Sequence, residues 1–456
     1  MTQAEALDIL KTGANVFLTG EPGAGKTHTV NTFVRYLREH EITVAITAST
    51  GIAATHIGGM TIHSWAGIGI KRYLDKYSLD RIASNERVVK RVTRARMLII
   101  DEVSMLGPGT LDMVDAVCRA VRRSQESFGG LSVLLVGDFF QLPPVVRRQE
   151  KENVNGDIKL IEDAQQRFAY ESGAWQRTKF LTCYLSGQYR QDDKVFLEIL
   201  SAIRRNEFGE EHMRHIAKRK LESGKTIGNI PILYSHNVDV DRVNTNKLSR
   251  IDSEAKVFEM TANGPENITE NLIRGCLSPK KLLLKVGAAV MCTKNNIVER
   301  FVNGTLATVI GFDKASGWPV IKTRTGRNIV MEPMEWTVED GSKVLARVRQ
   351  VPLRLSWAIT VHKSQGMSMD AALMDLSGVF EYGQGYVALS RVRRLDGLHL
   401  LGWNERTFQV HQGVLEQDGN FRANSHSIRE TFAKLDPKEI AKMHKNFVQA
   451  TAKSSH

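Results

Sequence analysis

The chain has 456 residues, 42% apolar and 25% charged, which are globular proportions and exclude a mainly disordered chain. At ~150 residues per domain its length predicts three domains, or two large ones plus small insertions. A net charge of +12 favours a polyanionic partner. No apolar run approaches the ~20 residues that cross a bilayer, and the opening MTQAEALDIL lacks the basic region of a secretory signal. Cys118, Cys183, Cys276 and Cys292 form no CxxC pair, so reduced thiols are expected rather than a disulfide framework or a zinc site.

In chain order, NVFLT (15–19) reads as a buried strand, followed by a Gly-rich turn and a helix from Lys26 to Arg38. TVAIT (43–47), RMLII (96–100) and LSVLLVG (131–137) are further buried strands. Apolar runs separated by helical stretches predict a parallel sheet with helices on both faces. Residues 71–96 hold nine Lys/Arg against three acids, a net +6 that is half the chain's excess. A charge run of this kind suits either nucleic-acid contact or a solvated helix face. Tyr73 and Tyr77 within it either stack on bases or pack against their own helix. The stretch 147–170 is a polar surface excursion.

A second α/β pattern starts near Lys179, with FLTCYL as a strand, Val195 to Arg205 as an amphipathic helix and IPILYS (230–235) as a strand. Between about 293 and 350, short β-rich runs divided by Asn-Gly, Ser-Gly and Thr-Gly turns predict a small antiparallel barrel inserted into this unit. The α/β pattern resumes at LRLSWAIT (353–360). After Trp403 the chain is polar and roughly charge-balanced, with a last helix near 437–450 and no obvious chemistry.

Gly20-Glu21-Pro22-Gly23-Ala24-Gly25-Lys26-Thr27 matches GxxxxGK[ST] between a predicted strand and a predicted helix. Glycines let backbone N–H groups turn in around phosphate oxygens, and the helix N-terminus adds partial positive charge. Lys26 is placed on the β- and γ-phosphates of ATP, and the Thr27 hydroxyl on Mg²⁺. The apolar run MLII delivers Asp101 and Glu102 to the carboxyl edge of the sheet, where ligands of open α/β folds bind. Asp101 is placed on Mg²⁺ and Glu102 on the attacking water; an N-cap is the other role open to Asp101. In LLVGDFFQLPPV (134–145), Asp138 and Gln141 emerge after a buried strand, Gln141 as a reader of the γ-phosphate.

These strings, with TASTGIAATHIGGMTIHSW (47–65), the FGG at 128–130, QYRQ (188–191), VNGTLATVIGF (302–312), WAITVHKSQGMSMD (357–370) and GQGYVALSRVRR (383–394), resemble the PIF (petite integration frequency) family of superfamily 1B DNA helicases over roughly residues 1–402. The resemblance implies an α/β fold of two RecA-like P-loop domains with a small basic wedge insertion in the first and an SH3-like β-barrel insertion in the second. The first domain spans 1–178 with the wedge at about 66–95, and the second spans 179–292 and 351–403. The barrel takes 293–350, and 404–456 is an extension of unassigned role. It implies ATP-driven 5′-to-3′ translocation on single-stranded DNA and unwinding of duplexes, forks, R-loops or G-quadruplexes in replication, recombination, repair or telomere maintenance.

Carried over position by position, Gln3 recognises adenine, and Arg190 and Arg391 reach the γ-phosphate from the second domain. Gly20, Pro22, Gly23, Ala24, Gly25, His28, Asp138, Gln141 and Gly366 complete the nucleotide site. Thr50, Gly51, Thr61 and His63, the basic Lys71 and Arg72, and His362, Lys363, Ser364, Gln365 and Ser368 lie on the implied DNA track. A capping role for any one Thr or Ser is as plausible as direct contact. The motif ending QGMSMD has Ser368 where the family commonly has Thr. ATP and Mg²⁺ are the implied cofactors; the implied state is a monomer, in the bacterial nucleoid region or in a nucleus or mitochondrion. Two other readings remain open: a RecD-like or phage-type superfamily 1B helicase, and a DNA-stimulated ATPase or translocase that does not unwind.

Overall fold

A computed structural model describes residues 1–69, 71, 73–144, 167–187, 193–222, 230–234, 240–296, 298–340, 343–361, 364 and 367–452. Strands β1 (Val16–Gly20), β2 (Val44–Ala48), β3 (Met60–Thr61), β4 (Met97–Asp101), β5 (Ser132–Val136) and β6 (Leu181–Leu185) form one sheet in the order β3-β2-β4-β5-β1-β6, all parallel. Every residue of β1 is buried. A strand covered on both faces needs such an unbroken apolar run, which is why the alternation of a half-exposed strand is missing.

The sheet is flanked by α1 (Gln3–Leu10), α2 (Lys26–Glu39), α3 (Gly51–His56), α4 (Ile62–Trp65), α5 (Lys76–Ala83), α6 (Glu86–Arg94), α7 (Pro108–Arg122) and α8 (Gly173–Thr178). Thr2 and Glu5 form a reciprocal capping box that fixes the start of α1. The basic helices α5 and α6 bury Ile82, Val88 and Val92 against the first unit and leave Arg81, Arg87 and Lys90 exposed, while Arg91 donates to the Ser64 and Trp65 carbonyls at 3.0 Å. In the FGG segment, Phe128, Gly129 and Gly130 all have positive φ, and the Phe128 N–H donates to buried Asp115 at 2.6 Å. Asp115 also holds Arg177 at 2.7 Å and Arg119 at 3.1 Å, and Arg122 donates to the Gly129 carbonyl at 2.7 Å, so this segment locks the end of α7.

Beyond β6 come α9 (Lys194–Arg204), α10 (Glu210–Ala217), β7 (Ile232–Tyr234), α11 (Val240–Ser249), β8 (Ala255–Glu259), β9 (Thr261–Asn263), α12 (Glu266–Gly275), β10 (Lys281–Lys285) and β11 (Ala289–Cys292). They are followed by β12 (Leu306–Phe312), β13 (Pro319–Thr323), β14 (Asn328–Val330), β15 (Met334–Asp340), β16 (Lys343–Gln350), β17 (Leu353–Leu355), β18 (Ala358–Thr360), β19 (Ala372–Leu376), α13 (Gln384–Leu389) and β20 (Leu398–Trp403). A second parallel sheet has the order β18-β7-β19-β20. The chain therefore holds two RecA-like α/β domains, each a parallel sheet flanked by helices.

The structure corrects two boundaries. FLTCYL does not open the second domain: β6 pairs with β1 along its whole length and is the edge of the first sheet. The antiparallel β region is also divided differently. Its five-stranded sheet runs β14-β13-β12-β11-β17, so it takes in 289–292 and 353–355. The hairpin β15–β16 instead pairs with β9, because Trp336, Val338, Ala346 and Val348 bury their own apolar face against Leu272 and Cys276 of the α12 segment.

The last segment is ordered as α14 (Gln412–Ala433) and α15 (Pro437–Ala452), and both return to the first domain. Asn424 and Ser425 of α14 accept the edge N–H groups of Thr182 and Tyr184 on β6, at 3.1 and 3.0 Å. These side chains occupy an edge that would otherwise present unpaired backbone groups. Phe447 of α15 packs into the core beside Gly13, and His444 bonds the Asp8 carbonyl at 2.8 Å.

Candidate nucleotide and nucleic-acid sites

Because β4, β5 and β1 are neighbours, their carboxyl ends place Asp101, Asp138 and the Gly20–Thr27 loop side by side. Gly25 precedes α2 with φ +88°, and Gly23 also has φ +88°. A side chain at Gly25 would strike the Gln3 amide nitrogen, 1.9 Å from the Cβ position. Gln3 itself donates to the Ala24 carbonyl at 3.2 Å, so the adenine-assigned residue sits directly on the loop. Lys26 donates to the Gly20 carbonyl at 2.7 Å and the Glu21 carbonyl at 3.2 Å. Burial depresses its pKa, and the charges of Asp138, Glu102 and Asp101 oppose that shift. Thr27 and His28 at the start of α2 are exposed.

Asp101 ends β4, and the Glu102 N–H donates to its Oδ1 at 2.8 Å. Burial raises the Asp101 carboxyl, and it pushes Glu102 up to about 7, with the Asp101 charge adding to the second shift and Lys26 and Arg391 opposing it. Two desolvated carboxylates beside a lysine are an arrangement that needs further positive charge. Together with the Thr27 hydroxyl they offer hard oxygen donors of the type Mg²⁺ takes alongside phosphate, so the residues fit that ion.

Asp138 is fully buried and Gln141 is buried in the turn, its N–H bonded to the Asp138 carbonyl at 2.9 Å. This turn meets the second domain at Gly383, where a Cβ would stand 2.4 Å from the Phe140 carbonyl and 3.2 Å from that of Gln141. Gly383, with φ +78°, caps α13, the helix that delivers Arg391. Arg391 is buried, and its Nε donates to the Val387 carbonyl at 2.8 Å. Arg190 and Gly366 lie outside the described residues, as do Arg72, His362, Lys363 and Gln365.

On the implied DNA track, Thr50 and Thr61 both serve as caps, accepting from the N–H groups of Ala53 and Ser64 at 3.2 Å. Gly51 packs against Gly275 of α12. His63 lines a cleft of about 330 Å³ between α3, α4, α6 and α12. That cleft also carries Arg87 and Arg91, and none of its lining residues is a carboxylate. Burial lowers the pKa of His63. Ser364 is buried on the Val361 carbonyl at 2.7 Å, and Ser368 accepts from Arg393 at 3.3 Å. Lys71 reaches Ser78 at 3.5 Å. Tyr73 precedes α5 and Tyr77 lies on it, and both rings stand in solvent, 76% and 78% exposed, rather than against the helix.

Arg204 was not anticipated, although it is 1% exposed and bonded to Asp138 at 2.7 Å. The signal was present: Phe196, Leu200 and Arg204 recur every four residues on the apolar face of one helix. Asp418 and Arg422 of α14 carried no comparable signal.

Residues 3–205 match the model of the PIF1-like helicase family. The ATP-dependent DNA helicase Pif1 of Psychrobacter sp. (strain PRwf-1) is 38% identical over 99% of this chain and 75% of its own length. The crystal structure of Bacteroides sp. Pif1 in complex with ADP-AlF4 superposes with a TM-score of 0.79 at 29% identity, covering 92% of this chain and 96% of that one. The same relative bound to ssDNA covers the same shares at the same identity with a TM-score of 0.60.

Proposed function

The chain belongs to the PIF1-like helicase family and is an ATP-dependent DNA helicase that binds single-stranded DNA, and on that premise we propose that it translocates 5′ to 3′ and separates strands at tailed or forked duplexes. The single observation that supports an ATP-driven motor is the seat of the Asp138–Gln141 turn on Gly383. It joins the phosphate loop's own domain to the helix that carries Arg391.

In this reading the Gly20–Thr27 backbone and Lys26 bind the phosphates, and Gln3 positions the adenine. Thr27 and Asp101 would hold Mg²⁺, which would neutralise phosphate charge there. Glu102 takes the proton of the attacking water. Arg391, with Arg190, stabilises charge on the γ-phosphoryl oxygens, a contribution of ~10³–10⁵ in rate for a trans-acting arginine. Since Arg391 belongs to the second domain, hydrolysis depends on closure, and nucleotide binding shifts the two domains between states of different affinity for it. The carboxylate-free cleft around His63, Arg87 and Arg91 suits a phosphate backbone, with the exposed Tyr73 and Tyr77 on a basic wedge at the fork. We read the five-stranded antiparallel sheet as the SH3-like insertion, while Val338 of the β15–β16 hairpin lines the cleft itself.

ATP hydrolysis with and without single-stranded DNA tests this reading. Stimulation by DNA, lost in Lys26→Ala and reduced by ~10³ in Arg391→Ala, is expected. Hydrolysis indifferent to both DNA and Arg391→Ala would contradict it.

A further inference from the structure

Arg204 ends α9 on the face that enters the core, so its guanidinium must find partners there. One nitrogen, Nη1, donates to both carboxylate oxygens of Asp138 at 2.7 and 2.8 Å and to the Tyr386 hydroxyl at 3.3 Å. Nη2 donates to the Tyr184 hydroxyl at 2.8 Å and to Asp418 Oδ1 at 3.4 Å. Nε reaches the same Tyr184 hydroxyl at 3.2 Å, and the guanidinium carbon stands 4.1 Å from the centre of the Phe140 ring. Its partners thus come from the turn after β5, from β6, from α13 and from the C-terminal helix α14.

A second link leaves α14 from Arg422, one turn past Asp418. Its Nε donates to Asp418 Oδ2 at 2.7 Å and its Nη2 to the Tyr184 hydroxyl at 2.7 Å. That Nη2 also stands 3.8 Å from the carboxylate of Glu21, the second residue of the phosphate loop. Glu21 accepts from Ser201 of α9 at 3.2 Å, and its carbonyl holds the Lys26 ammonium. Charges alternate along Asp138, Arg204, Asp418, Arg422 and Glu21, from the turn bearing Gln141 to the loop that cradles phosphate.

We propose that α14 is a working part of the ATP site, in which Asp418 and Arg422 are positioning residues that hold Arg204 on Asp138 and hold Glu21 in the phosphate loop. The inference rests on the ATPase reading above. Asp138 lies between two cations, Arg204 and Lys26. While Asp418 and the two tyrosines fix Arg204, that guanidinium neutralises Asp138, and Lys26 is left for phosphate. Without the Asp418 charge, Arg204 keeps a single carboxylate and the Asp138–Gln141 turn loses its fixed anchor. Such a charge-assisted bond acts at short range in a low-dielectric core, where it is strongest.

The test uses the full chain with saturating single-stranded DNA and measures kcat and KM for ATP, the Kd for DNA, and the melting temperature. Asp418→Asn keeps the shape and removes the charge; Arg422→Gln acts on a half-exposed side chain. We expect kcat to fall about tenfold in Asp418→Asn, the rate equivalent of one charge-assisted bond. In Arg422→Gln we expect KM for ATP to rise, with recovery in Arg422→Lys, while Kd for DNA stays within about twofold in every variant. Wild-type kcat and KM in Arg422→Gln and Asp418→Asn, whatever their melting temperatures, would overturn the proposal. Parallel loss of DNA affinity would also overturn it, by showing general disruption. Wild-type protein without DNA-stimulated hydrolysis would remove the ATPase reading itself, a result separable from either.

Discussion

The backbone N–H of Glu102 donates to the Asp101 carboxylate at 2.8 Å, which holds two half-buried carboxyls side by side with residue 102 in the left-handed region at φ +53°. Burial, with Asp101 adding to it, keeps the Glu102 carboxyl at about 7. A carboxyl raised above its unfolded value costs the folded state its ionisation. That cost is absent below the ordinary glutamate range near ~4.3 and complete above about 7.

Glu102→Gln should therefore melt higher than wild type at about pH 8 in a magnesium chelator, by an equivalent of roughly 1–3 kcal/mol. The difference should fade as pH falls toward the ordinary glutamate range, and ATP turnover should be lost throughout. Thermal melts across pH check the sign; a variant no more stable than wild type in mild alkali contradicts it.

Gly129 has φ +62°, and a Cβ there would lie 2.7 Å from the Cys118 carbonyl oxygen and 3.0 Å from Arg122 Cβ. Gly129→Ala should destabilise the protein by about 1–3 kcal/mol in urea melts. Gly107, whose φ is −74° and whose Cβ position meets nothing within 4 Å, should tolerate the same change.

The nucleotide site was legible because each of its parts is local: a loop, a strand end and a turn, each bounded by an apolar run that announces its place. Lys26, Asp101 and Asp138 needed only a parallel sheet to meet, and the order β4-β5-β1 brings them together. Strand partners were less legible. FLTCYL reads as a strand in either domain, and only its pairing with β1 and the caps from α14 decide between them. Tyr184 and Asp418 are 234 residues apart, and no local pattern marks either as the other's partner. Thr50 and Thr61 carry residue types that suit caps and phosphate contacts alike, and the structure shows both capping.

Tyr73 precedes the basic helix α5 and Tyr77 lies on it, both exposed. Changing both to Ala should slow strand separation of a forked duplex while DNA-stimulated ATP hydrolysis stays at the wild-type rate. Base stacking of ~1–3 kcal/mol per aromatic sets the scale. Equal loss of both activities would remove the wedge role and make these rings part of the channel.

If Arg87, Arg91 and their basic neighbours face backbone phosphates, log affinity for single-stranded DNA should fall by ~0.7 per contact for each unit of log salt. Arg87→Gln should reduce that slope by the same amount, in a titration followed by anisotropy. A flat salt response contradicts an electrostatic track.

Strand displacement with ATP and Mg²⁺, on duplexes with a 5′ or a 3′ single-stranded tail, tests the central claim most directly. The account predicts that wild type separates the 5′-tailed duplex alone and that Lys26→Ala separates neither. Displacement from the 3′ tail, or displacement that survives Lys26→Ala, would contradict it.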